Sequence, residues 1–141
     1  MDWLFEDATI DWAALSELYR IAPLGEKAPD DLRRAFAHSM YKCFVLEEGA
    51  LVGAGRAVAD GVYCAYLCDI VVHPDFQGRG LGKAITQRLV ALSAGHDKII
   101  LYANPGKEGF YAKLGFRRMR TAMAIFRDEA RALRRGLIEA G

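Results

Sequence analysis

The spacing of hydrophobic residues changes several times along the chain, and each change predicts a different element. Apolar residues recur every three or four positions from 12 to 22 and again from 32 to 40, which predicts two helices near the N-terminus. Residues 41–72 are rich in β-branched and aromatic side chains and are interrupted by glycine, a pattern typical of strands joined by tight turns. We therefore expect two helices followed by an antiparallel meander of three strands.

The helical spacing returns after the meander and then gives way to a buried strand. Apolar residues from 81 to 92 lie on one helix face, and the nearly all-apolar run 98–102 is typical of a parallel strand. A strand, a helix and a parallel strand together form a right-handed crossover unit. Three further elements are expected: a short helix over 107–114, strand character over 116–126 and a terminal helix over about 128–139.

Length and composition favour one globular domain. The chain of 141 residues has the usual size of a single domain, and 52% hydrophobic with 26% charged residues is typical of a folded protein. No apolar run reaches the ~18–20 residues of a membrane span, and the acidic N-terminus is unlike a signal peptide. The three cysteines have no metal-ligand spacing, and their odd number does not suit a disulfide framework. We expect a single domain over 1–141 that is cytoplasmic, contacts no membrane and holds no metal.

The net charge of +1 hides an asymmetry between two parts of the chain. Residues 1–31 contain eight acidic residues against two basic ones, a net charge of −6, so residues 32–141 carry +7. This division indicates either a solvated acidic helix pair on a mildly basic body or two ligands of opposite charge in one cleft. The basic stretch after residue 113 lacks the interleaved aromatic residues of a nucleic-acid surface, so no nucleic-acid partner is expected.

The strongest local signal is a glycine-rich turn between a strand and a helix. The strand ends near Val72, and the turn that follows reads Gln77-Gly78-Arg79-Gly80-Leu81-Gly82-Lys83. Glycine lets the backbone approach a ligand closely, and the free amides at a helix N-terminus bind anions such as a pyrophosphate. Neither the G-x-x-x-x-G-K-[ST] nor the G-x-G-x-x-G pattern of nucleotide sites is matched, so the pyrophosphate is expected on another carrier.

The pattern Gln77-x-x-Gly80-x-Gly82 resembles the acyl-CoA signature of the GCN5-related N-acetyltransferases. Asn104 and the segment 110–116, Phe-Tyr-Ala-Lys-Leu-Gly-Phe, resemble the second CoA element of that family in order and separation. The resemblance extends from about residue 3 to 126 and leaves the helix from 128 onward outside it. It implies an α/β (α+β) fold: a mixed central sheet of about six to seven strands with flanking helices, an N-terminal antiparallel meander and a splayed parallel strand pair.

The resemblance further implies acetyl-CoA as the cosubstrate. In similar enzymes it lies where the two parallel strands separate at a bulge. Its pantetheine would pair with the main chain of Ile70, Val71 and Val72, and its pyrophosphate would lie on the amides from Gln77 to Lys83. Asn104 resembles the residue that hydrogen-bonds the pantetheine.

The chemistry that the family implies is direct attack of a free amine on the thioester. Tyr111 resembles the general acid that protonates the departing thiolate; the alternative is a core aromatic residue next to Phe110 and Phe116. A strand amide near Val71 would stabilise the oxyanion.

The base that deprotonates the amine has three candidates. Asp69 is the charged residue within the apolar run 65–72, and it is either this base or an aspartate that caps the strand bulge. His73, just before Pro74, is the second candidate, and a water relay is the third.

The acceptor is predicted to be a cationic amine. Similar enzymes build the acceptor pocket from the N-terminal helix pair and its loop, which here carry the net charge of −6. A primary amine on a small aralkyl or polyamine-like molecule fits an acidic wall with aromatic residues. A protein lysine or N-terminal amine stays open, as does a non-catalytic acyl-CoA-binding module. The terminal helix either covers the sheet or forms a homodimer contact.

Overall fold

One mixed sheet of five strands organises residues 1–101 of the computed structural model, which describes all residues from 1 to 141. Strands β1 to β4 pair antiparallel, and β5 pairs parallel to β4. The predicted fold class, with its meander and its parallel pair, is therefore confirmed. In chain order, which is also the order across the sheet, the strands are β1 (Asp2–Leu4), β2 (Tyr41–Glu47), β3 (Ala50–Ala59), β4 (Cys64–Val72) and β5 (Lys98–Ile100).

Two helices between β1 and β2 confirm the predicted helix pair. Helix α1 (Trp12–Ile21) begins after Asp11, whose carboxylate accepts a hydrogen bond from the amide of Ala14 in the manner of an N-cap. Helix α2 (Pro29–Ala37) begins with its proline, which needs no amide hydrogen bond there. The two helices and the sheet enclose a buried core of Ile10, Leu15, Leu18, Tyr19, Leu32, Phe36, Phe44, Ala54 and Val71.

Helix α3 (Leu81–Leu92) covers the opposite face of the sheet, because side chains alternate between the two faces of a strand. Ala54 belongs to the core under α1, whereas Gly53 and Gly55 on either side of it face α3. A Cβ on Gly53 would lie 2.8 Å from the side chain of Ile85, and one on Gly55 would lie 3.0 Å from Ile85. The absence of these two side chains lets α3 lie directly on the backbone of β3.

The parallel pair diverges, as the sequence predicts. Strand β4 has nine residues but pairs with β5 only through Cys64–Tyr66. Further along, its register against β3 shifts at a bulge, and Asp69 there has a φ of 56°, in the left-handed region. Beyond Tyr66, β4 therefore has a strand neighbour on one side only.

Residues 102–141 form a second compact unit and contain two short helices, α4 (Glu108–Ala112) and α5 (Glu129–Arg134). The strand predicted over 116–126 is absent, and the sheet has five strands rather than six to seven. Consecutive arginines at 117 and 118 break the alternation of a strand, and the side chains of Met123 and Ile125 are almost fully exposed.

The terminal helix is also shorter than predicted. Asp128 caps its start by accepting a hydrogen bond from the amide of Arg131. The helix ends before Gly136, whose φ of 71° is typical of a helix C-terminus. None of the helices combines the length and the apolar character that crossing a membrane requires. The single domain, the homodimer contact and the cytoplasmic location stay predictions.

Candidate active site

The turn between β4 and α3 presents unpaired backbone amides. After β4 the chain makes one turn of 3₁₀ helix, Pro74–Phe76, and then passes through Gly78 and Gly80. Their φ angles of 77° and 81° lie in the left-handed region, which favours glycine. Gly80 is the N-cap of α3, and no side chain caps that helix. The amides of its first turn therefore keep their hydrogen-bonding capacity for a ligand, and the helix dipole adds partial positive charge.

Two cationic side chains flank these amides. The guanidinium of Arg79 lies 5.0 Å from the ring centroid of Phe76, and Lys83 is exposed in the first turn of α3. The side-chain amide of Gln77 donates to the main-chain oxygen of Val72 at 3.1 Å and so joins the turn to the end of β4. Amides, dipole and cations together form a site suited to an anion such as a pyrophosphate.

The last three residues of β4 connect this turn to the bulge. Val71 is buried in the core under α1, and it pairs with Ala54 of β3, as Val72 pairs with Gly53. Because one edge of β4 serves β3, its opposite edge is the one that has lost β5. Ile70, Val71 and Val72 thus combine packed side chains with a main chain whose second edge has no strand partner.

The carboxylate of Asp69 lies between two cations. Its Oδ2 is 2.8 Å from Nε of Arg56, and its Oδ1 is 3.4 Å from Nζ of Lys27. The carboxylate receives its hydrogen bonds from side chains, whereas its main-chain oxygen accepts one from the hydroxyl of Tyr19. Arg56 also donates to Oγ of Ser39 at 3.2 Å. Helix α1, the segment after it and β3 therefore converge on the bulge.

Burial keeps the neighbouring hydroxyl and thiol groups protonated. Burial, and after it the charge of Asp69, raises the pKa of Tyr19 well above its ordinary value, so the phenol stays a donor. Burial raises the pKa of Cys68 to about 11 and that of Cys43 to about 12. Because the thiolate is the reactive form of cysteine, neither residue is suited to act as a nucleophile.

His73, a candidate base, has one ring nitrogen engaged. Its Nδ1 accepts a hydrogen bond from the amide of Asp75 at 3.1 Å, so the neutral ring carries its proton on Nε2. The ring also borders a cavity of about 330 Å³ between α1 and the β2–β3 hairpin. Two carboxylates line that cavity, but Asp11 caps α1 and Glu17 pairs with Arg20. The imidazole therefore stabilises the turn after β4 and has no free lone pair in this tautomer.

Asn104 and Tyr111 belong to the second unit. Asn104 is exposed, and its main-chain oxygen accepts a hydrogen bond from the amide of Lys107 at 3.0 Å, in the turn before α4. Tyr111 lies in α4, where its ring is 5.0 Å from that of Phe110 and 6.0 Å from that of Phe116. Burial raises the pKa of its phenol, which keeps the proton that an acid must donate.

The sequence did not single out Lys27 or Arg56 as site residues. One signal was available: Arg56 is a charged residue within the otherwise apolar and glycine-rich strand β3, just as Asp69 is within β4. Opposite charges in two such strands predict a pair. Lys27, in a polar segment, carries no comparable signal.

Comparison with known proteins agrees with this geometry. Residues 7–116 match the acetyltransferase (GNAT) family. Serotonin N-acetyltransferase 2, chloroplastic, of Oryza sativa subsp. japonica is 42% identical over 115 residues, which cover 76% of this chain and 56% of that protein. Histone acetyltransferase TAP1 of Glycine max is 38% identical over 72 residues, 50% of this chain and 29% of that protein. The matched region thus spans about half of the first relative and less than a third of the second.

A solved structure shows the same fold. An acetyltransferase of the GNAT family from Streptococcus pneumoniae TIGR4 superposes with a TM-score of 0.74 at 22% identity, covering 89% of this chain and 98% of that one. The family match covers far more than half of the chain and includes the glycine turn, Asn104 and Tyr111. The resemblance is therefore confirmed, and the chain belongs to the acetyltransferase (GNAT) family.

Proposed function

We propose that this protein is an acetyl-CoA-dependent N-acetyltransferase that acetylates the primary amine of a small cationic molecule. The observation that carries the proposal is the uncapped N-terminus of α3, with Arg79 and Lys83 beside it, directly after a strand that has lost its parallel neighbour. A pyrophosphate and an extended amide-containing arm are the two parts of coenzyme A that such a surface would bind.

The cosubstrate would use main-chain groups in the first unit. Its pyrophosphate accepts hydrogen bonds from the amides of the turn Gln77–Lys83, and its pantetheine pairs with the open edge of Ile70–Val72. Asn104 supplies a side-chain hydrogen bond to the pantetheine. A Cβ at Gly78 or Gly80 would meet no protein atom within 4 Å, which agrees with a backbone that faces open space for a ligand.

Acetyl transfer would proceed by direct attack within a ternary complex. The amine nitrogen forms a bond to the thioester carbonyl carbon, and a β4 amide near Val71 stabilises the oxyanion. The carbon–sulfur bond then breaks, and the phenol of Tyr111 donates its proton to the departing thiolate. Asp69 takes the proton of the attacking ammonium at Oδ1, since Oδ2 is held by Arg56.

Two observations support a small cationic acceptor. Residues 1–31, which include α1 and the start of α2, carry a net charge of −6. A relative that is 42% identical over 115 residues is named a serotonin N-acetyltransferase, and serotonin carries a primary ammonium on an aromatic skeleton. The second candidate function is acetylation of protein lysines, which the relative named a histone acetyltransferase favours.

An acceptor panel tests the proposal by release of free coenzyme A. The panel contains serotonin, spermidine, a lysine-containing peptide and glucosamine 6-phosphate, each with acetyl-CoA. We expect the highest kcat/KM with serotonin or spermidine. A preference for the peptide would favour the second candidate, and a preference for the sugar phosphate would contradict the acidic acceptor wall. Binding of acetyl-CoA without release in any assay would indicate a non-catalytic acyl-CoA-binding module.

A further inference from the structure

The two cationic partners of Asp69 are held with different firmness. Arg56 lies on β3, its side chain is 17% exposed, and three contacts fix it: Asp69 at 2.8 Å, Ser39 at 3.2 Å and the ring of Phe36 at 6.0 Å. Lys27 lies in the segment 22–28 between α1 and α2, its side chain is 32% exposed, and its Nζ is 3.4 Å from Oδ1. Arg56 is therefore a permanent partner, whereas the ammonium of Lys27 is an exchangeable one.

The ammonium of Lys27 also covers an aromatic ring. Its Nζ lies 5.7 Å from the ring centroid of Tyr19, within the range of a cation–π contact. The main-chain oxygen of Lys27 accepts a hydrogen bond from the hydroxyl of Ser16 at 2.6 Å, so the backbone of the segment stays in place when the side chain rotates away. Asp69 and Tyr19 thus form a position suited to a primary ammonium, and a primary ammonium occupies it.

We propose that Lys27 occupies the subsite of the acceptor's ammonium and that acceptor binding displaces it. The inference rests on the proposed function and deepens it, because it assigns the acceptor's charge to one carboxylate oxygen and one ring face. The incoming ammonium binds Oδ1 of Asp69, gives that oxygen one proton and attacks the thioester with the lone pair thus freed. Lys27 moves into solvent and keeps its proton.

Lys27 would therefore act as a specificity residue. A cationic acceptor replaces one ammonium by another, so Asp69 keeps two cationic partners throughout. A neutral molecule that displaced Lys27 would leave Oδ1 without a counter-charge, which costs free energy at a carboxylate that is only 21% exposed. Competition with Lys27 thus discriminates against uncharged molecules of the same shape.

Calorimetric binding to the full chain tests this without relying on turnover. The two probes are tryptamine and tryptophol, which differ only in carrying an ammonium or a hydroxyl group. We expect Lys27→Met to tighten tryptamine binding about three- to tenfold, since it removes a competing and repelling cation, and to leave the ratio for tryptophol near one. Lys27→Arg should weaken tryptamine binding, because a guanidinium holds a carboxylate through two hydrogen bonds. The control is Lys42→Met, which removes another ion-paired lysine, 3.8 Å from Asp7.

The outcomes separate this inference from the proposed function. Equal or weaker tryptamine binding by Lys27→Met, equal tightening of both probes, or no detectable tryptamine binding by either protein would overturn the inference, even where coenzyme A is released with other amines. Selective tightening in a protein that releases no coenzyme A would support the ammonium subsite and contradict the enzyme. Thermal unfolding of each variant shows whether a loss of binding reflects a loss of folding.

Discussion

The hydroxyl of Tyr19 donates a hydrogen bond to the main-chain oxygen of Asp69 and so connects helix α1 to the bulge of β4. Tyr19 is fully buried, and Asp69 adopts a left-handed conformation that costs a non-glycine residue about 1–2 kcal/mol. The hydrogen bond and the ion pairs of the carboxylate offset that cost. The strand that would hold the cosubstrate and the helix that would face the acceptor are thereby mechanically coupled.

Tyr19→Phe should destabilise the protein and alter its response to alkali. The substitution leaves a partly buried carbonyl without its donor, which we expect to lower the free energy of unfolding by about 1–3 kcal/mol in a urea titration. Because the pKa of Tyr19 is raised by folding, the stability that it contributes is present at neutral pH and is lost as pH rises above the ordinary tyrosine value.

The alkaline loss of stability should be smaller in Tyr19→Phe than in the wild type. Tyr41→Phe is the matched control, since the recorded contact of that tyrosine is a ring contact with His96. An equal destabilisation by both substitutions would contradict the role given to the Tyr19 hydroxyl.

Gly53→Ala should destabilise the sheet and α3 together. The new methyl group would lie 2.8 Å from the side chain of Ile85, so the helix has to shift or Ile85 has to leave its position. We expect a loss of about 1–3 kcal/mol, measured by thermal unfolding. Gly95→Ala is the control, because a Cβ there meets no atom within 4 Å. Equal melting temperatures for the two variants would show that α3 does not need the close contact.

Gly80→Ala should weaken acetyl-CoA binding more than it weakens folding. The φ of 81° strains any residue with a Cβ, so the turn relaxes and its amides move out of line with a pyrophosphate. We expect the KM for acetyl-CoA to rise about five- to twentyfold, the equivalent of about 1–2 kcal/mol. Gly61→Ala introduces similar strain at a φ of 84° in the β3–β4 turn. Should it raise the same KM as much, strain in general rather than the α3 turn would be responsible.

Tyr111→Phe should lower kcat about 100-fold with little change in the KM for acetyl-CoA, because it removes a proton donor and keeps the ring. Since burial raises the pKa of this phenol, the wild-type kcat should fall only at pH values above the ordinary tyrosine range, and the variant should lack that fall. A kcat–pH profile with an acetyl-CoA titration measures both. Phe116→Leu tests whether packing alone explains the effect, and an equal loss of kcat in that variant would favour a structural role for Tyr111.

Hydrophobic spacing was sufficient for the elements that bury one face. The helix pair, the meander and α3 were predicted because their apolar residues contact a core, as Leu15 and Ile85 do. The segment 116–126 has apolar residues too, but Met123 and Ile125 are exposed, and a strand without a covered face gains little from forming.

The partners of Asp69 could not be predicted, because the fold alone brings them together. Arg56 is 13 positions away on a neighbouring strand, and its pairing with Asp69 depends on the register of β3 against β4, which shifts at the bulge. Lys27 approaches from a segment without periodicity. The glycine turn was predictable for the opposite reason, since its residues are consecutive and their chemistry depends on the local backbone.

The close contact of α3 with β3 has an evolutionary consequence. The amides at the start of α3 are placed by a helix that lies on bare strand backbone, so no intervening side chain can adjust to compensate for a change. Natural selection for cosubstrate affinity would therefore act on Gly53 and Gly55, in the interior of the sheet, as strongly as on the glycines of the turn itself. Sequences that diverge freely at the acceptor wall should still retain small residues at these two positions.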